Sequence, residues 1–291
     1  MVRSPIRYPG GKFKAMSQIF PLIPEDVEEW REPFFGGGSV TLYYLQNCKK
    51  KPKRLVVNDL APEVYAFWKG VKDNVEGVIN EIKVMYNEYE DPRDKWKYVK
   101  HMDCTPLSLE QRAARFWICN KLSFSGTGDS GSLSIYQYER FKMESVYKLR
   151  DVSKVLQEVE IKNADFEEIV LAPTDVDPSK VFIFLDPPYL TQEKSALYGK
   201  NGDTHKGFPH ERHKEVCDKA DAMGYKWLIT LDDCPNVRRL YKEWNIKPFH
   251  IPYTMAINAD NDALKGEELF ITNMDVFNND EEDAEFDDYV I

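Results

Sequence analysis

Three observations predict an α/β protein with a doubly wound, Rossmann-like sheet. Short β-type runs alternate with helix-like stretches, the pattern that builds a mostly parallel sheet with helices on its faces. Four of the five runs end in a polar or acidic turn, and in such sheets ligands bind beyond the carboxyl ends of the strands. Three glycines lie between an apolar strand end and an apolar helix start within Glu32–Val40, where the backbone can turn sharply and approach a ligand closely.

The five runs are Arg54–Asp59, Val159–Asp165, Val181–Asp186, Lys226–Asp232 and Glu268–Asn273. Val181–Leu185 is wholly apolar, so it reads as a central strand covered on both faces. Helices are predicted over Pro62–Tyr86, Val146–Leu156 and Glu211–Met223. Residues 75–150 break the alternation. Asn74–Glu110 is charged and helix-like, and Arg112–Lys121 is an apolar-rich helix carrying basic residues. Ser123–Ser134 is a loop rich in Gly and Ser. The expected organisation is a core domain over 1–74 and 151–274, an inserted and mainly helical subdomain over 75–150, and a tail over 275–291.

Charge is unevenly placed. The formal net charge is −10, which by itself disfavours a polyanionic partner. Eight carboxylates and no Lys or Arg fall within 275–291, a composition typical of a solvated, disordered segment. Without that segment the charge is −2, and the first 54 residues carry ten Lys/Arg against five Asp/Glu. A basic face is therefore compatible with the acidic total. The five cysteines are scattered, with no Cys-x-x-Cys pair, which argues against a disulfide framework and a zinc knuckle. No apolar run approaches the about 20 residues of a membrane helix, and Met1–Pro5 does not open a signal peptide, so a cytoplasmic protein is expected.

Two motifs carry chemistry. The glycine turn is followed, about 20 residues on, by Asp59 at a strand end, where a carboxylate commonly binds ribose hydroxyls. Asp186-Pro-Pro-Tyr189 follows the most apolar strand. Its prolines remove two backbone donors and leave carbonyls free to accept. A carboxylate and a carbonyl beside a Tyr ring form a receptor for a planar ring bearing an amino group. A proline-rich turn with an Asp cap is the plainer reading of the same four residues. Arg7–Lys12 taken alone reads as a structural turn.

Taken together, Arg7–Lys12, Glu32–Val40, Asn58-Asp59-Leu60 and Asp186–Tyr189 resemble, in order, elements of the DNA adenine methylase (Dam) family of N6-adenine methyltransferases. Asn163–Phe166 resembles the family's third cofactor element, Asn120–Gly126 part of its recognition region, and Gly266–Asn273 its closing strand. The resemblance spans nearly the whole chain except the acidic tail.

The resemblance implies a sheet that binds S-adenosyl-L-methionine, an inserted target-recognition subdomain, and methyl transfer to N6 of adenine in double-stranded DNA. It implies that Tyr8, Lys12, Asp59 and Asp186 line the cofactor site, with Phe34, Gly36 and Gly38 beneath it. Asp59 would hold the ribose, and Asp165 and Phe166 would meet the cofactor's adenine. Asp186 and the Pro187 carbonyl would accept from the target amine, and Tyr189 would stack on the base, which must leave the helix to react. Expected DNA contacts are Arg112, Arg115, Asn120, Lys121, Ser125, Arg140 and Lys142, with Lys194 and Lys200 in a loop over 191–208. No metal is expected, the oligomeric state expected is a monomer or weak dimer, and a cognate restriction enzyme is a possible partner. After Phe124-Ser-Gly126 the chain departs from relatives that read GATC, so the resemblance leaves the target sequence open. Transfer to RNA adenine or to cytosine N4, and a non-catalytic DNA- or cofactor-binding role, stay open as rival readings.

Overall fold

The computed structural model describes residues 1–190, 208–257 and 263–277. Seven strands form one sheet in the order β3-β2-β1-β4-β5-β7-β6. They are β1 (Glu29–Glu32), β2 (Arg54–Asn58), β3 (Glu160–Lys162), β4 (Val181–Leu185), β5 (Lys226–Asp232), β6 (Asn245–Ile257) and β7 (Ala263–Thr272). The first five pair in parallel, whereas β7 runs antiparallel to both β5 and β6. The expected α/β sheet is present, and β4 is central and buried throughout.

Strand alternation divides the core between the two faces. Val181, Ile183 and Leu185 of β4 join Trp227, Ile229 and Leu231 of β5 on one side, under the helices Phe166–Val170 and His210–Ala222. Phe182 and Phe184 point to the other side, where they share a core with Trp30, Phe67 and Trp117. Thr230 and Glu268 lie on that second face by the same period of two. The helices Val75–Asn87, Pro92–Lys100 and Leu109–Leu122 contribute Val78, Trp96 and Trp117 to this core.

Four features differ from the sequence expectation. The strand before the glycine turn is not apolar: β1 is Glu-Trp-Arg-Glu and all four residues are buried. It is tolerated because Arg31 pairs with Glu29 at 2.7 Å and donates to the Val170 carbonyl at 2.9 Å, so the buried charges are matched. The expected helix Pro62–Tyr86 breaks at Asn74, whose side chain accepts from Gly77 N at 3.0 Å and caps a second helix. Strand β6 is not among the five runs read from the sequence, and it carries Pro248 and Pro252. Among the described residues it pairs with β7 alone, at the edge of the sheet, and an edge strand tolerates residues without an N–H. Finally, Val276 and Phe277 pack against the core, so the packed chain runs past Asp275. The rest of the expected tail, 278–291, lies outside the described residues.

Candidate active site

The glycine turn leaves β1 and enters the helix Ser39–Asn47. Gly36 and Gly38 adopt φ of +44° and +65°, values that side chains resist. A Cβ at Gly36 would lie 2.7 Å from the Tyr8 ring, and one at Gly38 2.8 Å from Phe35. Tyr8 is thereby seated on the turn. Asp59, one residue beyond β2, accepts from Gly36 N at 2.8 Å and Ala61 N at 2.9 Å. Burial pushes its carboxyl up to about 6, against the pull of these two backbone donors. The residue keeps a solvent-facing edge, so its desolvation is incomplete. Its two oxygens offer about four acceptor positions and use two of them.

Asp186 leaves β4 on the same side of the sheet, 22% exposed. The Lys12 ammonium, 1% exposed, lies 2.8 Å from Oδ1 and 2.9 Å from Oδ2, and it also donates to the Gly10 carbonyl at 2.7 Å. Thr230 donates to Asp186 Oδ1 at 2.8 Å. Tyr189 donates its phenolic proton to Glu268 at 2.6 Å, and its ring centre lies 5.0 Å from the Lys12 ammonium. Leu190 N donates to Asp232 at 3.0 Å. The N-terminal turn and the Asp-Pro-Pro-Tyr turn, more than 170 residues apart in sequence, thus meet as one unit.

Beneath them lies Glu32, the last residue of β1, which is buried. Thr41 donates to it from both its hydroxyl and its N–H, and Trp30 donates to the Thr41 hydroxyl at 2.7 Å. Burial pushes the Glu32 carboxyl up to about 8. The Thr41 hydrogen bonds pull it down, and the charges of Asp186 and Asp59 raise it further. It is therefore largely protonated at neutral pH.

A third group gathers around Phe166. Phe34, Phe208 and His213 surround it with ring centres 5.5 to 5.7 Å away. Asp165 caps the Phe166–Val170 helix and forms a two-point pair with Arg212 at 2.8 and 3.1 Å. His213 Nδ1 lies 2.7 Å from the Tyr241 hydroxyl, and burial pushes the ring's pKa down to about 3, so it is neutral.

The expected DNA contacts divide. Arg140 and Lys142 are exposed, and Arg140 donates to Tyr136 at 2.8 Å. Lys121 is half-buried. Burial pushes it down to about 8, with Arg7 and Lys148 adding repulsion. Arg112 pairs with Glu63 at 2.9 Å. Two of the expected contacts are buried. Arg115 is 4% exposed and donates to the Lys100 carbonyl at 2.7 Å, because its side of the Leu109–Leu122 helix faces the core. Asn120 is 1% exposed and clamps Arg7 N, the Arg7 carbonyl and the Gly126 carbonyl at 3.0, 2.6 and 2.9 Å. Neither presents a group to a DNA surface here. Ser125 lies in the turn Phe124–Gly126, whose Phe124 is 68% exposed. Lys194 and Lys200 lie outside the described residues. Replacing Asn120 by Ala removes three buried hydrogen bonds and is expected to cost about 2–3 kcal/mol, read as a lower urea midpoint.

Sequence reading missed Glu32, Thr230, Asp232 and Glu268. A signal for Glu268 existed: in β7 it shares the phase of Phe270, and a carboxylate on a core-facing position needs a reason.

Comparison with known proteins agrees with this geometry. Residues 8–258 match the family described as D12 class N6 adenine-specific DNA methyltransferase. The type II methyltransferase M.MjaIII of Methanocaldococcus jannaschii is 28% identical over 285 residues, covering 89% of this chain and 94% of its own. Type II methyltransferase M1.LlaDCHI of Lactococcus lactis subsp. cremoris is 25% identical, covering 92% and 94%. The DNA adenine methylase of Haemophilus influenzae is 22% identical, covering 91% of each chain. With six-sevenths of its length inside the family match, and its four ordered motifs in place, this chain is a member of the D12 class of N6 adenine-specific DNA methyltransferases.

Proposed function

We propose that the protein transfers the methyl group of S-adenosylmethionine to N6 of an adenine flipped out of duplex DNA, within a specific sequence. The observation that carries this reading is convergence. Asp59, the glycine turn and the Asp186 turn stand at the carboxyl ends of the adjacent strands β2, β1 and β4, where open α/β sheets bind ligands.

The residues present fit the cofactor. Asp59 has unused acceptor positions for ribose hydroxyls, and the Phe34–Phe166 pair offers apolar rings to a purine. The cofactor supplies a methyl group on a cationic sulfur. The target amine is a weak nucleophile because its lone pair is delocalised into the ring. Hydrogen bonds from that amine to Asp186 and to the Pro187 carbonyl favour the pyramidal nitrogen whose lone pair can attack. Tyr189 stacks on the base and offsets part of the few kcal/mol needed to extract it. Arg140, Lys142, Lys121 and the exposed Phe124 ring are the groups we assign to DNA. Residues 75–150 serve as the target-recognition part, and a restriction enzyme of the same specificity is the partner suggested by the type II relatives.

The test is transfer of labelled methyl from S-adenosylmethionine to unmethylated DNA, followed by sequencing of the methylated adenines to read the site. Label on RNA or on cytosine alone would refute the proposal. Asp59 makes a further prediction. Its ionised form accepts more hydrogen bonds than its protonated form, so cofactor affinity is expected to rise as pH increases through about 6. Asp59→Asn is expected to weaken cofactor binding about tenfold at pH 7.5, the loss of roughly one charged hydrogen bond. It should also flatten that pH dependence, as measured by calorimetric titration.

A further inference from the structure

Both ends of the Asp186–Tyr189 turn are tied to side chains of the neighbouring strands. Thr230 of β5 donates to Asp186 at 2.8 Å, and Glu268 of β7 accepts from the Tyr189 hydroxyl at 2.6 Å. Glu268 is opposite Asp232 in the β5–β7 register, and it is 1% exposed on a sheet face shared with Phe270, Leu228, Thr230 and Asp232. A carboxylate in such a place is costly unless it is paired. The oxygen that accepts from Tyr189, Oε2, is also the one nearest Lys12, at 3.9 Å. Lys12 therefore stands between two carboxylates, in close contact with Asp186 and at longer range from Glu268.

We propose that Glu268 is a positioning residue for the methyl-transfer site, with two separable effects. Through the hydroxyl it fixes the plane of the Tyr189 ring against which the target base stacks. Through its charge it remains a counter-ion for the buried Lys12 ammonium when an Asp186 oxygen turns to the incoming amine. Without that second carboxylate, each hydrogen bond from the substrate to Asp186 would loosen the partner of a buried cation. The inference rests on the reading of Asp186–Tyr189 as the adenine receptor.

The experiment compares full-length wild type, Tyr189→Phe, Glu268→Gln, Glu268→Ala and Glu268→Ala/Tyr189→Phe in steady-state methyl transfer to unmethylated genomic DNA, with melting temperatures recorded alongside. Tyr189→Phe keeps the ring and drops the tether, and is expected to raise KM for DNA about tenfold. Glu268→Gln keeps an acceptor for the hydroxyl and removes the charge. It is expected to lower kcat about tenfold while KM for DNA stays within about twofold. The pH profile of kcat should move in Glu268→Gln and not in Tyr189→Phe. Glu268→Ala, which removes both effects, should make a subsequent Tyr189→Phe change silent in KM for DNA. Wild-type KM in Tyr189→Phe, or wild-type kcat in Glu268→Gln, overturns the proposal. If Glu268→Ala fails to fold, the other two variants still decide it. Lack of transfer by the wild type would instead refute the adenine-methylation reading, which that control tests on its own.

Discussion

Asp186→Ala is expected to lower methyl transfer to DNA by about 10²- to 10³-fold, the usual consequence of removing a hydrogen-bonding group that acts on the reacting atom. The same change has a second effect. It removes the nearest carboxylate from a Lys12 ammonium that is 1% exposed. Stripping one partner from a buried pair is strongly destabilising. Because Asp186 is 22% exposed and Lys12 retains Gly10 and Glu268, the cost is expected to be about 2–3 kcal/mol, at or below the low end of the buried-pair range. Activity and stability can be separated with Lys12→Met/Asp186→Asn, which removes both charges. That double variant should recover melting temperature relative to Asp186→Ala and stay inactive. Recovery of transfer in it, or full activity in Asp186→Ala, would contradict the assignment of Asp186 to the target amine.

Glu32→Gln is expected to raise stability at pH 8 and to flatten its pH dependence. The Glu32 carboxyl is raised to about 8 from an ordinary 4.5, mainly by burial. Below about 4.5 the folded and unfolded chains both hold this proton, and Glu32 contributes no pH dependence. Between about 4.5 and 8 the folded chain keeps a proton that the unfolded chain has released, so stability falls as pH rises. The slope is at most about 1.4 kcal/mol per pH unit. Above about 8 the penalty is constant. Glutamine imitates the protonated acid and still accepts from the Thr41 N–H. The melting temperature of the variant should therefore exceed that of the wild type increasingly from pH 5 to pH 8. An identical pH dependence in the two proteins would show that Glu32 is ionised in the fold. The carboxyls of Asp59 and Asp186 flank this group, so the variant also reports how much like charge the site carries before any ligand enters.

The motifs legible in the sequence are those in which a local pattern and a local physical demand coincide. A five-residue apolar strand ending in Asp-Pro-Pro-Tyr announces a presented carboxylate, and three glycines before a helix announce a tight approach. Both stand where expected, at the carboxyl ends of β4 and β1. Strand β1 escaped the apolar criterion because its Glu29 and Arg31 satisfy each other inside the sheet, a pairing that no periodicity displays. Strand β6 carries two prolines, which a strand tolerates at a sheet edge, and its edge place follows from the strand order rather than from local pattern. Arg115 as a basic residue and Asn120 through the family resemblance both read as DNA contacts. Their residue types are usually exposed, yet one side of the Leu109–Leu122 helix is covered by the helix Pro92–Lys100 and the other by the N-terminal turn.

The α/β sheet, the glycine turn, the acid after each of β2 and β4, and the family to which they belong are legible in the sequence. The individual runs and motifs behind them are each written within about ten consecutive residues, where side-chain period and backbone freedom act directly. Contacts made across the fold set Lys12 on Asp186, Glu268 against Tyr189, and Glu32 in a buried place near both acids that pushes its carboxyl up. Those relations depend on the strand order, which brings β1, β4, β5 and β7 side by side from distant parts of the chain. Burial there, rather than residue type, sets which charges are paired, which proton is retained and which groups remain to meet a substrate.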